Sequence, residues 1–90
     1  MKPPLIYFIR HGQTDWNAEA RFQGQQDIPL NDLGRDQARR NGTTLRDLID
    51  PADFDFVASP LSRTRDTMEI VRRAMGLDPM TYAMDERLRE

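Results

Sequence analysis

Three short runs, Leu5-Ile6-Tyr7-Phe8-Ile9, Phe54-Asp55-Phe56-Val57-Ala58 and Met80-Thr81-Tyr82-Ala83-Met84, alternate with two longer stretches of helical period, and this alternation constrains the fold most. Runs rich in apolar, aromatic and β-branched residues read as short strands when Pro or Gly bounds them. Pro3-Pro4 precedes the first run, Gly12 follows it, and Pro79 precedes the third. Between the first two runs, Asn31 suits a helix N-cap. Leu33, Gln37, Ala38, Leu45, Leu48 and Ile49 mark one side of a helix ending near Asp50-Pro51, although Gly34 and Gly42 weaken its propensity. A second helix is expected to open at Ser59-Pro60, a capping residue followed by Pro in the first turn. Leu61, Thr64, Met68, Val71 and Met75 supply its buried stripe and Gly76 its stop. The order strand, helix, strand, helix, strand predicts an α/β fold, a parallel sheet with flanking helices joined by right-handed crossovers.

Composition narrows the setting. Ninety residues make at most one domain, with a modest core. Lys+Arg 13 against Asp+Glu 15 leaves a formal charge of -2, which offers no electrostatic reason for nucleic acid or an anionic membrane as partner. Arg is twelve of the thirteen basic residues, a bias read as the coding preference of the source. With Cys 0 and His 1 there is no disulfide and no thiolate or His-rich metal cluster, so neither metal nor cofactor is expected. No run is long enough to span a bilayer, and Met1-Lys2-Pro3-Pro4 leads into the first strand without a signal-peptide pattern. A cytoplasmic protein is the expectation. The five methionines read as core filler.

Parallel strands deliver the loops that follow them to one edge of the sheet, where ligand sites form in open α/β folds. Here that edge would gather Arg10-His11-Gly12, Ser59-Pro60-Leu61-Ser62-Arg63 and the segment Asp85 to Glu90, with the polar loop from Gly12 to Leu30 beside them. Loops of that length in small domains are commonly functional. Phosphoryl transfer to a side chain needs a nucleophile in line with the leaving oxygen, cations on the equatorial oxygens and an acid for the leaving group. His11 can be the nucleophile. Arg10 and Arg63 can neutralise the phosphoryl oxygens, with backbone N–H groups of the second helix adding to this if they face the pocket. One of Asp85, Glu86 and Glu90 can be the acid, its pKa raised by partial burial. The alternative for His11 is a strand-end residue that only hydrogen-bonds a neighbouring loop.

These motifs resemble the histidine phosphatase superfamily in its phosphoglycerate mutase-like branch. The resemblance rests on Arg10-His11-Gly12-Gln13-Thr14-Asp15-Trp16-Asn17, Arg21-Phe22-Gln23-Gly24, Asp27, Leu30, Leu33-Gly34, Gln37-Ala38, Ser59-Pro60-Leu61-Ser62-Arg63-Thr64 and Thr67, in that order. It implies a β-α-β-α-β portion of a three-layer sandwich, with His11 phosphorylated and Arg10 and Arg63 on the phosphate. It further implies Asn17 in the phosphate pocket, Thr14 as a hydroxyl able to touch substrate, Gln23 and Gly24 in a substrate loop, and Glu90 as the acid with Glu86 as fallback. Structural alternatives stand beside these roles. Asn17 can hold its loop through backbone bonds, Trp16 can pack beneath it, and Arg21, Arg65 and Arg72 read as surface charges. Arg63 in a first helical turn opposes the helix dipole, so the dipole gives no structural reason for it.

The family supplies a second pocket histidine from a later part of the domain, and this sequence has one histidine. The expectation is therefore that residues 1–90 are the N-terminal part of a single histidine phosphatase domain. As an isolated segment it should be catalytically poor and self-associate through an uncovered sheet, or become ordered only with residues beyond 90. Function is expected to be a phosphomonoester phosphatase working through phosphohistidine on a small phosphorylated substrate. A cofactor-dependent phosphoglycerate mutase is the alternative, disfavoured by Gln25, where mutases of the branch show Trp. A non-catalytic phospholigand-binding or interaction fragment is the alternative from another class.

Overall fold

The computed structural model describes residues 7–14 and 28–88. Leu30, which is buried, and Asn31 lead into helix α1, Asp32–Leu48, and a single 3-10 turn follows at Pro51–Asp53. Then come strand β1 (Val57–Ala58), helix α2 (Ser62–Ala74), strand β2 (Ala83–Met84) and a last 3-10 turn, Glu86–Leu88.

Helix α1 starts where an Asx cap predicts it. The Asn31 side chain accepts from Gly34 N at 2.8 Å, satisfying one of the orphan donors of the first turn, while Asp32 and Arg46 complement the dipole at either end. Its end follows from a second cap, in which Asp50 Oδ1 accepts from Ala52 N at 3.0 Å and diverts the chain into the 3-10 turn at Pro51. The buried side differs from the expected stripe. Gly34, Ala38, Gly42 and Leu45 face inward, whereas Leu33 and Leu48 are exposed. The two glycines that lower helix propensity are what let α1 approach its neighbours. A Cβ on Gly42 would sit 2.6 Å from both Ala74 Cβ and Val71 O of α2, and one on Gly34 would sit 2.6 Å from Gln13 N. Propensity reports the isolated helix, and here tertiary contact overrides it.

Helix α2 begins later than Ser59-Pro60 suggests. Leu61 is the N-cap, extended at φ -64° and ψ 142° with no side-chain cap bond, and Pro60 precedes it. Leu61 is 3% exposed, so the chain stays extended until that side chain is inside and only then turns. Ser59 serves the turn differently. Thr64 Oγ1 lies 2.5 Å from Ser59 Oγ and 2.8 Å from the carbonyls of Ser59 and Leu61, folding the segment back on the first helical turn. The other end matches the expected stop. Gly76 has φ 79°, its N–H donates to Arg73 O, and Leu77 N donates to Arg72 O, a Schellman closure that needs a left-handed residue.

The two helices meet in a core of Ala38, Leu45, Val71 and Met75, with Ile49, Phe56, Ile70 and Leu77 around it. Burying side chains of this size stabilises by roughly 1.5 to 3 kcal/mol each. Of the methionines, Met75 fills this core, while Met80 and Met84 are exposed, so core filling describes only part of the set. Arg72 also departs from its expected surface place. It is buried, donates from Nε to Asp78 O at 2.7 Å, and lays its guanidinium 4.7 Å from the Phe56 ring centroid. Arg65 is half-buried as well.

β1 and β2 pair in parallel, Val57 opposite Ala83 and Ala58 opposite Met84, which bears out the parallel order predicted for the second and third strands. Both are shorter than the apolar runs that contain them. Met80 N donates to Asp78 Oδ1 in a local turn, so the chain before Ala83 is not free to extend the ladder beside Phe54. Tyr82 joins β2 to α2 instead, its hydroxyl donating to Glu69 Oε2 at 2.6 Å; burial first and this bond second push the phenol up to about 12. The first expected strand is a correction in part. Leu5 and Ile6 lie outside the described residues, and Tyr7, Phe8 and Ile9 carry no ladder pairing among them. That segment is held by side chains, through a tilted Tyr7–Phe54 ring contact at 5.6 Å, while Phe8 is 91% exposed.

The close approach of the helices yields a stability prediction with an unusual sign. Gly42→Ala should destabilise by about 1 to 2 kcal/mol, because the backbone of Val71 must move, and this outweighs the roughly 1 kcal/mol gained in helix propensity. Thr43→Ala, on the exposed side of the same helix, should be neutral or stabilising. Denaturant midpoints of the two variants check the comparison.

Candidate active site

Arg10-His11-Gly12 sits where α1 and α2 converge. Gly12 is buried, and a Cβ there would lie 2.8 Å from Gly34 Cα, so the backbone passes directly against the first turns of α1. Its N–H donates to Thr67 Oγ1 of α2 at 3.0 Å, and the Thr67 hydroxyl donates in turn to Arg63 O at 2.7 Å. The next residue is held by α1, with Gln13 N donating to Gln37 Oε1 at 2.8 Å. Gln13 O then accepts from Asn31 N, and Gln13 Oε1 from Asn31 Nδ2, both at 2.9 Å. An antiparallel bridge between Thr14 and Leu30 continues this pairing, so the ends of the long loop are closed side by side.

His11 is half-buried and Arg10 exposed beside it. His11 Nδ1 lies 2.7 Å from Gly12 O, and because a carbonyl oxygen can only accept, Nδ1 carries the proton in this contact. In the neutral ring this contact leaves Nε2 as the nitrogen with a lone pair, the form a nucleophilic imidazole requires. Both residues line a cleft of about 810 Å3 whose far wall is Gln37, Asn41, Thr44 and Leu45 of α1.

The other expected site residues are distributed unevenly. Arg63 stands in the first turn of α2, one helical turn before Thr67, and is 1% exposed, a buried cation at a helix end whose dipole disfavours it. Thr14 is fully buried beneath the loop ends. Trp16, Asn17, Arg21, Gln23, Gly24, Gln25 and Glu90 lie outside the described residues. Of the acid candidates, Asp85 departs from expectation. Arg87 donates to it from Nε, Nη2 and its backbone N–H, and these bonds hold the carboxyl down at about 2. It is therefore the reverse of a raised, proton-bearing acid, while Glu86 is exposed. Sequence reasoning placed Thr67, Gln37 and Gly34 in the matching motifs but gave them no part in the site. Besides that motif, the signal for Thr67 was its spacing, four residues after Arg63, which places both on one side of a helix.

The Asp85 arrangement is directly testable. Arg87→Ala should raise the Asp85 carboxyl from about 2 toward the ordinary 3.8, since the bonds that favour its charged form are lost. Carboxyl NMR shifts followed against pH report the midpoint.

Comparison with known proteins brings a family to this geometry. The family model of the histidine phosphatase superfamily (branch 1) matches residues 6–90. A curated relative from Salmonella paratyphi C, named "Probable phosphoglycerate mutase GpmB", is 44% identical over 85 residues, covering 94% of this chain and 37% of the relative. Its namesake in Citrobacter koseri is 46% identical with the same coverage. The chain thus spans little more than a third of the length of the curated relatives it matches. Among solved structures, a mycobacterial glucosyl-3-phosphoglycerate phosphatase in complex with VO3 superposes with a TM-score of 0.76 at 39% identity, covering 89% of this chain and 37% of that one. TTHB049 from Thermus thermophilus superposes at 0.70 with 33% identity, covering 91% and 41%.

Proposed function

The chain belongs to the histidine phosphatase superfamily, branch 1, and from that premise we propose that it carries the nucleophilic part of a phosphomonoester phosphatase working through a phosphohistidine. The observation that carries this reading is the placing of His11, with Nδ1 bonded to Gly12 O and the ring lining a cleft that Arg10 also lines, so that in the neutral ring Nε2 carries the lone pair. Nε2 would attack phosphorus and form the N–P bond as the P–O bond to the leaving alcohol breaks. The departing oxygen takes a proton from an acid, for which Glu90 is our assignment, and water then cleaves the N–P bond to release inorganic phosphate. Arg10 and Arg63 are assigned to the phosphoryl oxygens, with Asn17, Thr14, Gln23 and Gly24 as further phosphate or substrate contacts.

A small phosphorylated metabolite in the cytoplasm fits this chemistry, and the formal charge of -2 offers nucleic acid or an anionic membrane no particular attraction. Among the described residues no helix is long and apolar enough to cross a membrane. We read residues 1–90 as part of one such domain, the reading that the coverage of the relatives supports. Two structures of one mycobacterial glucosyl-3-phosphoglycerate phosphatase, with VO3 and with inorganic phosphate, support the phosphatase reading. The relatives named phosphoglycerate mutase favour the second, in which phosphohistidine returns its phosphoryl group to a bound glycerate instead of to water. Phosphorus NMR of the complete protein with a phosphoglycerate separates them: growth of inorganic phosphate marks the phosphatase, and interconversion of positional isomers marks the mutase.

Two substitutions in the complete protein test the residue roles. His11→Ala should lower turnover by several orders of magnitude and abolish an acid-labile phosphoenzyme trapped from labelled substrate; a variant that still traps label would overturn the assignment. Arg63→Ala should weaken vanadate or tungstate binding by roughly tenfold to a hundredfold, as expected for loss of a charge-assisted bond, and by more than Arg65→Ala. Equal losses from the two would remove Arg63 from the anion site.

A further inference from the structure

The hydrogen bonds around Gly12 link His11 to Arg63, and between them stands Thr67, a residue to which the proposed chemistry assigns nothing. Arg63 O accepts from the Thr67 hydroxyl at 2.7 Å, whose oxygen accepts from Gly12 N at 3.0 Å, and Gly12 O accepts from His11 Nδ1 at 2.7 Å. We propose that Thr67 is a positioning residue for the nucleophile, setting the orientation and the Nδ1-protonated form of the His11 imidazole through the Gly12 backbone. The proposal deepens the phosphohistidine reading and rests on it for its kinetic consequence.

Three features make the tether specific to this side chain. Thr67 is 5% exposed and Gly12 is buried, so water does not readily substitute for the hydroxyl. The oxygen is used in both directions, because its single proton goes to Arg63 O and a lone pair remains for Gly12 N–H. An apolar side chain of the same shape would leave a buried donor unpaired at the residue that orients the imidazole. The same hydroxyl also ties the His11 segment to the backbone of Arg63, one turn earlier in α2. Nucleophile and phosphate-binding cation would thereby be held in one frame. Geometry of this kind acts on the reaction step more than on ground-state binding, and displacement of a reacting group by about 1 Å costs on the order of a hundredfold.

The test compares Thr67→Val and Thr67→Ser in the complete protein. Thr67→Val should lower kcat by roughly tenfold to a hundredfold with KM changed less than about threefold, while Thr67→Ser recovers most of that loss. Two spectroscopic readouts follow the tether without reference to turnover. In Thr67→Val the Gly12 amide should exchange with solvent at least about tenfold faster, and the His11 ring nitrogen shifts should move away from the Nδ1-protonated pattern. If Thr67→Val fails to fold, Thr67→Cys replaces it, its sulfur being a weak acceptor, and should show the same changes to a smaller degree. Unchanged exchange and unchanged ring shifts in a folded variant overturn the proposal, as does a serine variant as impaired as valine. Should the unmodified protein show no phosphohistidine, the reading of function falls, and the exchange and ring-shift comparison still decides the role of Thr67.

Discussion

The close approach of α1 to α2 is the constraint on which the rest of this structure depends. Gly42 lets the backbone of Val71 come within what would be 2.6 Å of a Cβ, and Ala38 and Leu45 then close with Val71 and Met75 into the core. One end of that contact is apolar and sets stability. The other end, where Gly34 faces Gly12 and Gln13, leaves room for the segment that carries His11 to pass between the helices. A larger residue at Gly42 would move the helices apart, and one at Gly34 would displace the segment that Thr67 and Gln37 hold by hydrogen bonds. Packing and site geometry here both depend on close contacts that only glycines of α1 permit.

Polar groups in the interior follow the same logic. Arg72 is buried against Phe56 and bonded to Asp78 O, and Tyr82 is bonded to Glu69. Each joins α2 to the chain leading toward β2, and each supplies a partner for a group whose burial would otherwise be costly. By contrast the Arg35–Asp66 pair at 3.7 Å, between the helices but partly solvated, contributes little. The apparent surface arginine and the apparent strand tyrosine are thus the side chains that attach the small sheet to the helical pair.

Around His11 the backbone does most of the positioning. Gly12 presents its N–H to α2 and its carbonyl to the imidazole, and Gln13 is pinned to Gln37 and to the Asn31 cap of α1. Asn31 therefore has two duties, closing the first turn of the helix and closing the loop that precedes it. A side chain carried on backbone anchored to two helices is held more tightly than one on a free loop, as the proposed chemistry at His11 would require.

Local chemistry in the sequence determined the capped start of α1 at Asn31, the left-handed stop at Gly76, the alternation of helices and strands, and the placing of His11 beside Arg10 in a motif of recognisable order. These were legible because caps, turns and residue order act over a few positions. Tertiary structure decided what depends on distance between elements. It buried the Gly34 and Gly42 side of α1 in place of Leu33 and Leu48, moved the α2 cap from Ser59 to Leu61, and drew Arg72 inside. It also joined Thr67 to Gly12 across 55 positions of sequence. No periodicity carries such information, because the energy of a buried hydroxyl or a close glycine contact is fixed by the partner that folding brings to it.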